Sequence, residues 1–251
     1  MRGHLVIPAY NESARLPRFL RSLVTALRES DLSCSVEVVD DGSAAAERAA
    51  MSAVVSELRA EFPFLFELRC LPGNRGKGNA VRTAWNAAPD TVDWLLFVDA
   101  DGAISASEVV RLLDEIRRNP DAADAWFASR VRMLGRSVTR DWRRHLSGRV
   151  FATFVGHYVD DRVYDSQCGL KAVRAPVWEK FGYAMTEDGF AFDVELLARL
   201  NLCGARLREF PVDWHDQAGS KVSVLRDGLR MVRAVRRISK RVGRRRDLAS
   251  D

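Results

Sequence analysis

Two short apolar runs each end in a cluster of acids, and that placement limits the possible folds more than any other feature of the chain. Val36 to Val39 leads straight into Asp40-Asp41-Gly42-Ser43, and Trp94 to Val98 leads into Asp99-Ala100-Asp101-Gly102 some sixty residues later. Both runs are rich in β-branched, aromatic and leucine side chains, the pattern of strands buried on both faces of a sheet. Carboxylates at the ends of such strands lie at the rim of an open α/β sheet, where nucleotide and metal chemistry is placed. Burying the runs is therefore expected to leave these aspartates facing solvent or a ligand.

The surrounding segments repeat one unit. Residues 4–7 read as a strand ending at Pro8, followed by a helix over 13–29 in which Leu16, Leu20, Leu23 and Leu27 form one stripe. The 36–39 strand feeds a helix over 44–60 with Met51, Val54, Val55 and Leu58 inward, and 64–69 is a third strand candidate. A polar turn, Asn74-Arg75-Gly76-Lys77-Gly78-Asn79, opens a helix over 80–88. The 94–98 strand is followed by a helix over 107–118 with Val109, Leu112, Leu113 and Ile116 on one side. These repeats predict an α/β fold, a mostly parallel central sheet with helices on both faces and right-handed crossovers. Beyond Pro120 the pattern loosens, with strands expected at 125–129, 169–173 and 205–212 and a helix at 190–201.

At 251 residues, 47% of them hydrophobic, the chain can bury one large core, and the expected organisation is a domain over 1–220 and a basic helix and tail over 221–251. The formal charge of +5 is unevenly spread: the tail holds eleven lysines and arginines against three aspartates, so the remainder is net acidic. A second basic stretch, 130–149, has seven arginines and one aspartate. Such segments attract nucleic acid, anionic lipid or phosphorylated substrates alike. No helix-turn-helix, zinc-finger or basic-aromatic alternation accompanies them, so nucleic acid is not an expected partner. Cys34, Cys70, Cys168 and Cys203 lack C-x-x-C spacing and follow no secretory signal, which reads as reduced thiols in a cytoplasmic chain. No apolar run is long enough to span a membrane.

In Asp-x-Asp an extended backbone aims Asp99 and Asp101 the same way, so that both could hold one hard divalent cation bridging to a diphosphate. Two solvated turn aspartates are the plain alternative. Asp40 or Asp41 can accept from a base N–H or a ribose hydroxyl, with an Asx turn or helix cap as the competing use. The glycines around Lys77 do not complete G-x-x-x-x-G-K-[ST], because Gly78 and Asn79 follow the lysine, and G-x-G-x-x-G is missing from the first βα turn. A P-loop ATPase and an ordinary NAD site are thereby excluded.

Taken in order, Val6-Ile7-Pro8-Ala9-Tyr10-Asn11-Glu12, Val38-Val39-Asp40-Asp41-Gly42-Ser43, Asn74-Arg75-Gly76-Lys77-Gly78 and Asp99-Ala100-Asp101-Gly102 resemble the family 2 nucleotide-sugar glycosyltransferases of GT-A fold. The second half is similar to the dolichyl-phosphate β-glucosyltransferase and polyprenyl-phosphate branch of that family. The matching stretches are Asp165-Ser166-Gln167-Cys168-Gly169-Leu170-Lys171, Phe190-Ala191-Phe192-Asp193-Val194-Glu195, and Val212-Asp213-Trp214 with Gly219-Ser220-Lys221. The resemblance implies that Pro8, Ala9, Tyr10 and Glu12 border the nucleoside, that Asp41 lies near the base with Asp40 beside it, and that Lys77 sits close to the nucleotide. It implies Asp99 near sugar or ribose hydroxyls and Asp101 as the more direct ligand of Mg²⁺ or Mn²⁺ on the diphosphate. Arg130 matches a position near the diphosphate or the acceptor phosphate, and Gln167 and Lys171 match the acceptor-side wall. Asp188 and Asp193 are expected to bind sugar or orient the acceptor, with a helix cap and a surface ion pair as their alternatives. His157 and His215 read as flankers.

Inverting sugar transfer needs in-line attack on the anomeric carbon through a transition state of oxocarbenium character. A hydroxyl nucleophile usually needs a base, whereas a lipid phosphate oxygen is already anionic; the arginines of 130–149 then suit an acceptor phosphate. The expected function is inverting transfer of a sugar, glucose from UDP-glucose, to polyprenyl or dolichyl phosphate. The alternatives are a soluble transferase acting on a hydroxyl acceptor and a non-catalytic nucleotide-sugar- or membrane-binding module. Members of that branch often carry a transmembrane helix, so a lipid acceptor here calls for peripheral attachment to the cytoplasmic face. Leu225, Leu229, Val232 and Val235 form a stripe, with Arg226, Arg230, Arg233, Arg236 and Arg237 on the other faces. Such a helix can enter an anionic membrane interface or pack its stripe on the domain.

Overall fold

The computed structural model describes residues 1–131, 135–139, 163–217 and 224–242, with side chains in the final helix from residue 232 onward. The strands are β1 (Arg2–Ala9), β2 (Ser33–Asp40), β3 (Arg69–Cys70), β4 (Trp94–Val98), β5 (Ala125–Ser129), β6 (Val138–Thr139), β7 (Leu170–Arg174), β8 (Leu207–Pro211) and β9 (Trp214–His215). The helices are α1 (Leu16–Glu29), α2 (Ala45–Glu61), α3 (Lys77–Trp85), α4 (Ala106–Arg118), α5 (Ala175–Glu179), α6 (Phe192–Leu202) and α7 (Val224–Val242). Seven strands form one sheet in the order β3-β2-β1-β4-β7-β5-β8, and β6 pairs with β9 beside it. Among the described strands of this sheet, only β7 runs against its neighbours β4 and β5; the other pairings are parallel.

Strand alternation divides the core into two layers. Leu5, Ile7, Leu96 and Val98 face one side, where the leucine stripe of α1 and the apolar faces of α2 and α4 bury them. Val6, Leu95 and Phe97 face the other, under α3, α6 and α7. Leu16, Leu20 and Leu23 of α1 are fully buried, each contributing about 1.5–3 kcal/mol relative to exposure. Ser105 caps α4, accepting from Glu108 N, and Arg117 and Arg118 sit at the helix's negative end. All four cysteines are free thiols, Cys34 and Cys168 buried, Cys70 and Cys203 exposed.

Several expected boundaries move, for physical reasons. Pro8 lies inside β1 rather than ending it, paired with Val39, because β4 flanks β1 only from Gly3 to Val6 and leaves no partner there to miss the absent N–H. The strand expected at 64–69 contracts to β3 plus a bridge from Val36 to Leu65, since a turn over 63–64, closed by Leu65 N donating to Phe62 O at 2.9 Å, takes up the start of that range. Helix α3 begins at Lys77, three residues earlier than expected, because Gly76 at φ +114° turns the chain abruptly into it. The C-terminal helix packs Ala234, Val235, Ile238 and Val242 into the second core layer. Leu225, Leu229, Arg226 and Arg230 lie outside the described side chains. So do His157, residues 219–221 and the arginines of 130–149 other than Arg130 and Arg136.

Candidate active site

The C-terminal ends of β1, β2, β4 and β5 share one sheet edge. The reversed β7 brings the turn before it, Gln167-Cys168-Gly169, to the same edge. Leaving β1, Ala9 O accepts from Asp41 N at 2.9 Å. Asn11 adopts the left-handed conformation, φ +51°, which its short polar side chain tolerates. Its N–H donates to Ser43 Oγ at 2.8 Å while its Oδ1 accepts from Ala44 N at 3.1 Å, stapling the first loop to the second. Asp40 is fully buried, accepting from Ser43 N at 3.0 Å and from Arg48 Nε at 2.7 Å. Arg48, set in the first turn of α2, supplies the counter-charge that makes that burial tolerable.

Asp41 holds the third loop, accepting from Arg75 N at 3.1 Å and Gly76 N at 2.6 Å. Burial nevertheless leaves its carboxyl above the ordinary aspartate range, with those N–H groups offsetting only part of the effect. A Cβ on Gly42, at φ +71°, would come within 2.3 Å of the Gly73 carbonyl carbon, so glycine lets the two loops meet backbone to backbone. Pro8 is half-buried, Ala9 buried and Tyr10 exposed at the mouth, while Glu12 is buried against Arg15, whose Nε donates at 2.7 Å.

Beyond Val98 the chain turns at once, so Asp99-Ala100-Asp101 is not the extended segment expected. The two carboxylates are kept near each other by the turn instead. Asp101 Oδ1 accepts from Ala103 N at 3.0 Å, and Asp99 meets Lys77 Nζ at 2.8 Å. Burial, followed by the charge of Asp99, raises the Asp101 carboxyl above its ordinary value. Lys77 answers the charge of Asp99 and Arg15 offsets only part of that on Asp101, so a hard divalent cation would further relieve the pair. No group of three or more His, Cys, Asp and Glu side chains suited to a metal occurs among the described residues. An ion on Asp101 and Asp99 would draw its remaining oxygens from a diphosphate and water. His215, a flanker in the sequence, has its N–H on Ala103 O at 3.0 Å, beside this turn.

Gly169 O accepts from Asp99 N at 2.9 Å, and a Cβ on Gly169 would lie 2.1 Å from Asp99 Oδ2. Gly169→Ala is therefore expected to displace the Asp99 side chain and lower turnover by about 10²-fold through misplacement alone. Parallel melting curves should show a much smaller loss; a variant with full activity would free Asp99 from any need for this placement.

Behind the turn lies a buried chain of charges. Lys171 is fully buried, 2.8 Å from Asp193, donating to Cys168 O at 2.7 Å and set against the rings of Phe97 and Phe127. Asp193 also faces Lys77 at 3.5 Å, and Lys77 lies over the Phe97 ring. Burial works against the Lys77 ammonium, but Asp193 and Asp99 outweigh it and hold its pKa above the ordinary lysine value. Asp193 thus makes a buried ion pair, not a surface one.

Asp188 does not cap α6, whose N-cap is Ala191; it pairs with Arg82 and, at 2.7 Å, with Arg75, and its carbonyl accepts from Asn79 N. The preceding Glu187 is held by Arg237 at 2.7 Å. Arg130 is gripped by both oxygens of Asp165 at 2.7 Å, which overcome burial and raise its pKa, leaving Nη1 as the guanidinium nitrogen not engaged with that acid. Gln167 is half-buried, its Nε2 buried without a hydrogen-bond partner among the described residues. Asn11, Arg75, Arg82 and Arg237 carry these contacts without having been singled out for them. Asn11 and Arg75 lay inside quoted motifs, whereas nothing local marks Arg82, 106 positions from Asp188.

A mostly parallel sheet flanked by helices, with acid-bearing loops gathered at one edge, is the GT-A architecture of nucleotide-sugar transferases. The chain belongs to glycosyl transferase family 2, whose model matches residues 4–177. It is 30% identical over 241 residues to the dolichyl-phosphate beta-glucosyltransferase of Saccharomyces cerevisiae, covering 91% of this chain and 71% of that one. The Drosophila melanogaster protein of the same name is 30% identical over 238 residues, covering 91% and 72%. Among solved structures, glucosyl-3-phosphoglycerate synthase from Mycobacterium tuberculosis, in complex with Mn²⁺, UDP and phosphoglyceric acid, shares the fold with a TM-score of 0.68. The match is 15% identical and covers 96% of this chain and 78% of that one.

Proposed function

We propose that this transferase moves a sugar, with UDP-glucose as the first donor to test, by inverting displacement assisted by Mg²⁺ or Mn²⁺. The observation that carries this reading is the meeting at one sheet edge of the Asp41-anchored loops with the Asp99/Asp101 turn. Tyr10, Glu12 and Asp41 then border the nucleoside, and Lys77 contributes positive charge beside Asp99. Asp101 and Asp99 would hold the cation, which when bound neutralises the charge of the departing diphosphate. Glucose as the sugar rests on the names of the relatives and on the UDP and Mn²⁺ complex of the fold neighbour.

Two acceptor forms satisfy this proposal. A soluble hydroxyl-bearing acceptor fits the fold neighbour solved with phosphoglyceric acid. It requires a base, and Asp188 would serve once Arg75, the more exposed of its two arginines, moves away. A polyprenyl or dolichyl phosphate fits the names of the relatives, and as an anionic nucleophile it needs no base. No helix among the described residues is long and apolar enough to cross a membrane.

Purified protein with radiolabelled UDP-glucose and Mn²⁺, offered polyprenyl phosphate and a panel of soluble hydroxyl acceptors, tests both forms. Under the hydroxyl form Asp188→Asn removes most of kcat; under the phosphate form it leaves kcat nearly intact. Tight donor binding with neither transfer nor hydrolysis would overturn the enzymatic proposal in favour of a binding module.

A further inference from the structure

The apolar side of α7 is already occupied. Ala234, Val235, Ile238 and Val242 are buried in the domain core, so this part of the helix has no apolar stripe to insert into a bilayer. Opposite them, Arg233, Arg236, Arg237, Lys240 and Arg241 are the described residues that line an open groove of about 530 Å³. Their spacing of three, four and seven places them on one helical face.

Two of the five are neutralised from below. Arg237 clamps Glu187 at 2.9 and 2.7 Å, and Arg241 approaches Glu187 and Glu195 at 3.8 and 3.7 Å. Arg233, Arg236 and Lys240 are exposed and make no hydrogen bond or ion pair with other described residues. The clamped arginines join the row to the segment that carries Asp188, giving a cationic ridge beside it.

We infer that this ridge is a peripheral docking surface for anionic phospholipid headgroups, held by charge alone and not by insertion. Arginine forks match phosphate oxygens, and a row of uncompensated cations is what the negative potential of an anionic leaflet attracts. Among the described residues the groove has no aromatic side chain on which a nucleic-acid base could stack, which disfavours single-stranded nucleic acid. The surface does not depend on which acceptor the enzyme uses, although docking would bring the donor site to a lipid substrate.

Sedimentation of the full chain with phosphatidylcholine vesicles, with and without phosphatidylserine, tests this at low and high salt. Binding is expected only to the anionic vesicles and is expected to be lost at high salt, because exposed charges are screened. The triple variant Arg233→Gln/Arg236→Gln/Lys240→Gln should weaken that binding by about tenfold or more. UDP-sugar turnover measured without vesicles, on a soluble or detergent-dispersed acceptor, and melting temperature should stay unchanged, so failure of the surface is distinguishable from failure of the enzyme. Binding that survives high salt or appears on phosphatidylcholine alone would mean insertion and overturn the inference. So would an unaffected triple variant, absence of binding by the parent chain, or displacement from vesicles by a single-stranded oligonucleotide at equal charge.

Discussion

Asp101→Asn is expected to lower cation-dependent UDP-sugar turnover by about 10²–10³-fold, the scale seen when one stabiliser of transition-state charge is removed. Its melting temperature should hold or rise slightly. The amide keeps the side-chain shape and can still accept from Ala103 N, so the turn survives while the charge is lost. Burial and the neighbouring Asp99 raise the Asp101 carboxyl above its ordinary value, so its ionised form is the one the fold disfavours. At neutral pH that ionised group subtracts stability, and protonation or a neutral isostere restores it. A melting series with Mn²⁺ and UDP supplies a second readout: ligand binding to the folded state should raise the transition of the parent chain and scarcely move that of the variant. Unchanged turnover would remove Asp101 from the metal site.

Asp193→Ala is expected to act on stability first, costing about 3–5 kcal/mol in urea denaturation, the range for breaking a buried pair by removing one partner. Lys171 is fully buried with Asp193 as its carboxylate partner, and Lys77 loses one of the two acids that hold its ammonium charged. The deficit should narrow at high pH. Lys77 has a raised pKa in the folded chain, so its contribution is present below the ordinary lysine value and is lost as pH rises through the folded one. The compensated variant Asp193→Leu/Lys171→Met should recover most of the loss, because a matched apolar pair replaces a buried ion pair at little cost. If Asp193→Ala alone proves neutral, the buried chain of charges is not what secures this part of the domain.

The helices of the first half were legible because a stripe such as Leu16, Leu20, Leu23 and Leu27 reports burial through spacing alone. The aspartate clusters were legible because a turn after a buried strand has to emerge at the sheet edge. Periodicity reports which face a residue occupies, not what that face meets. Thus Asp40, Asp188 and Asp193 stood out as acids, yet their partners Arg48, Arg82 and Lys171 are set by the approach of separate elements. The apolar side of the last helix was equally visible, but whether it met lipid or α6 depended on packing across the second core layer.

The order of acid-bearing turns along an alternating βα chain by itself determined a mostly parallel sheet with acids at one edge, because local sterics and burial operate over neighbouring residues; the nucleotide sugar at that edge is what the family resemblance implies. Tertiary structure alone decided how charge is distributed at that edge. The reversed β7 sets Gly169 against Asp99, Lys77 bridges Asp99 to Asp193, and Arg75 and Arg82 close on Asp188. Coulomb attraction and desolvation depend on distances and burial in three dimensions, which close only when the chain has folded.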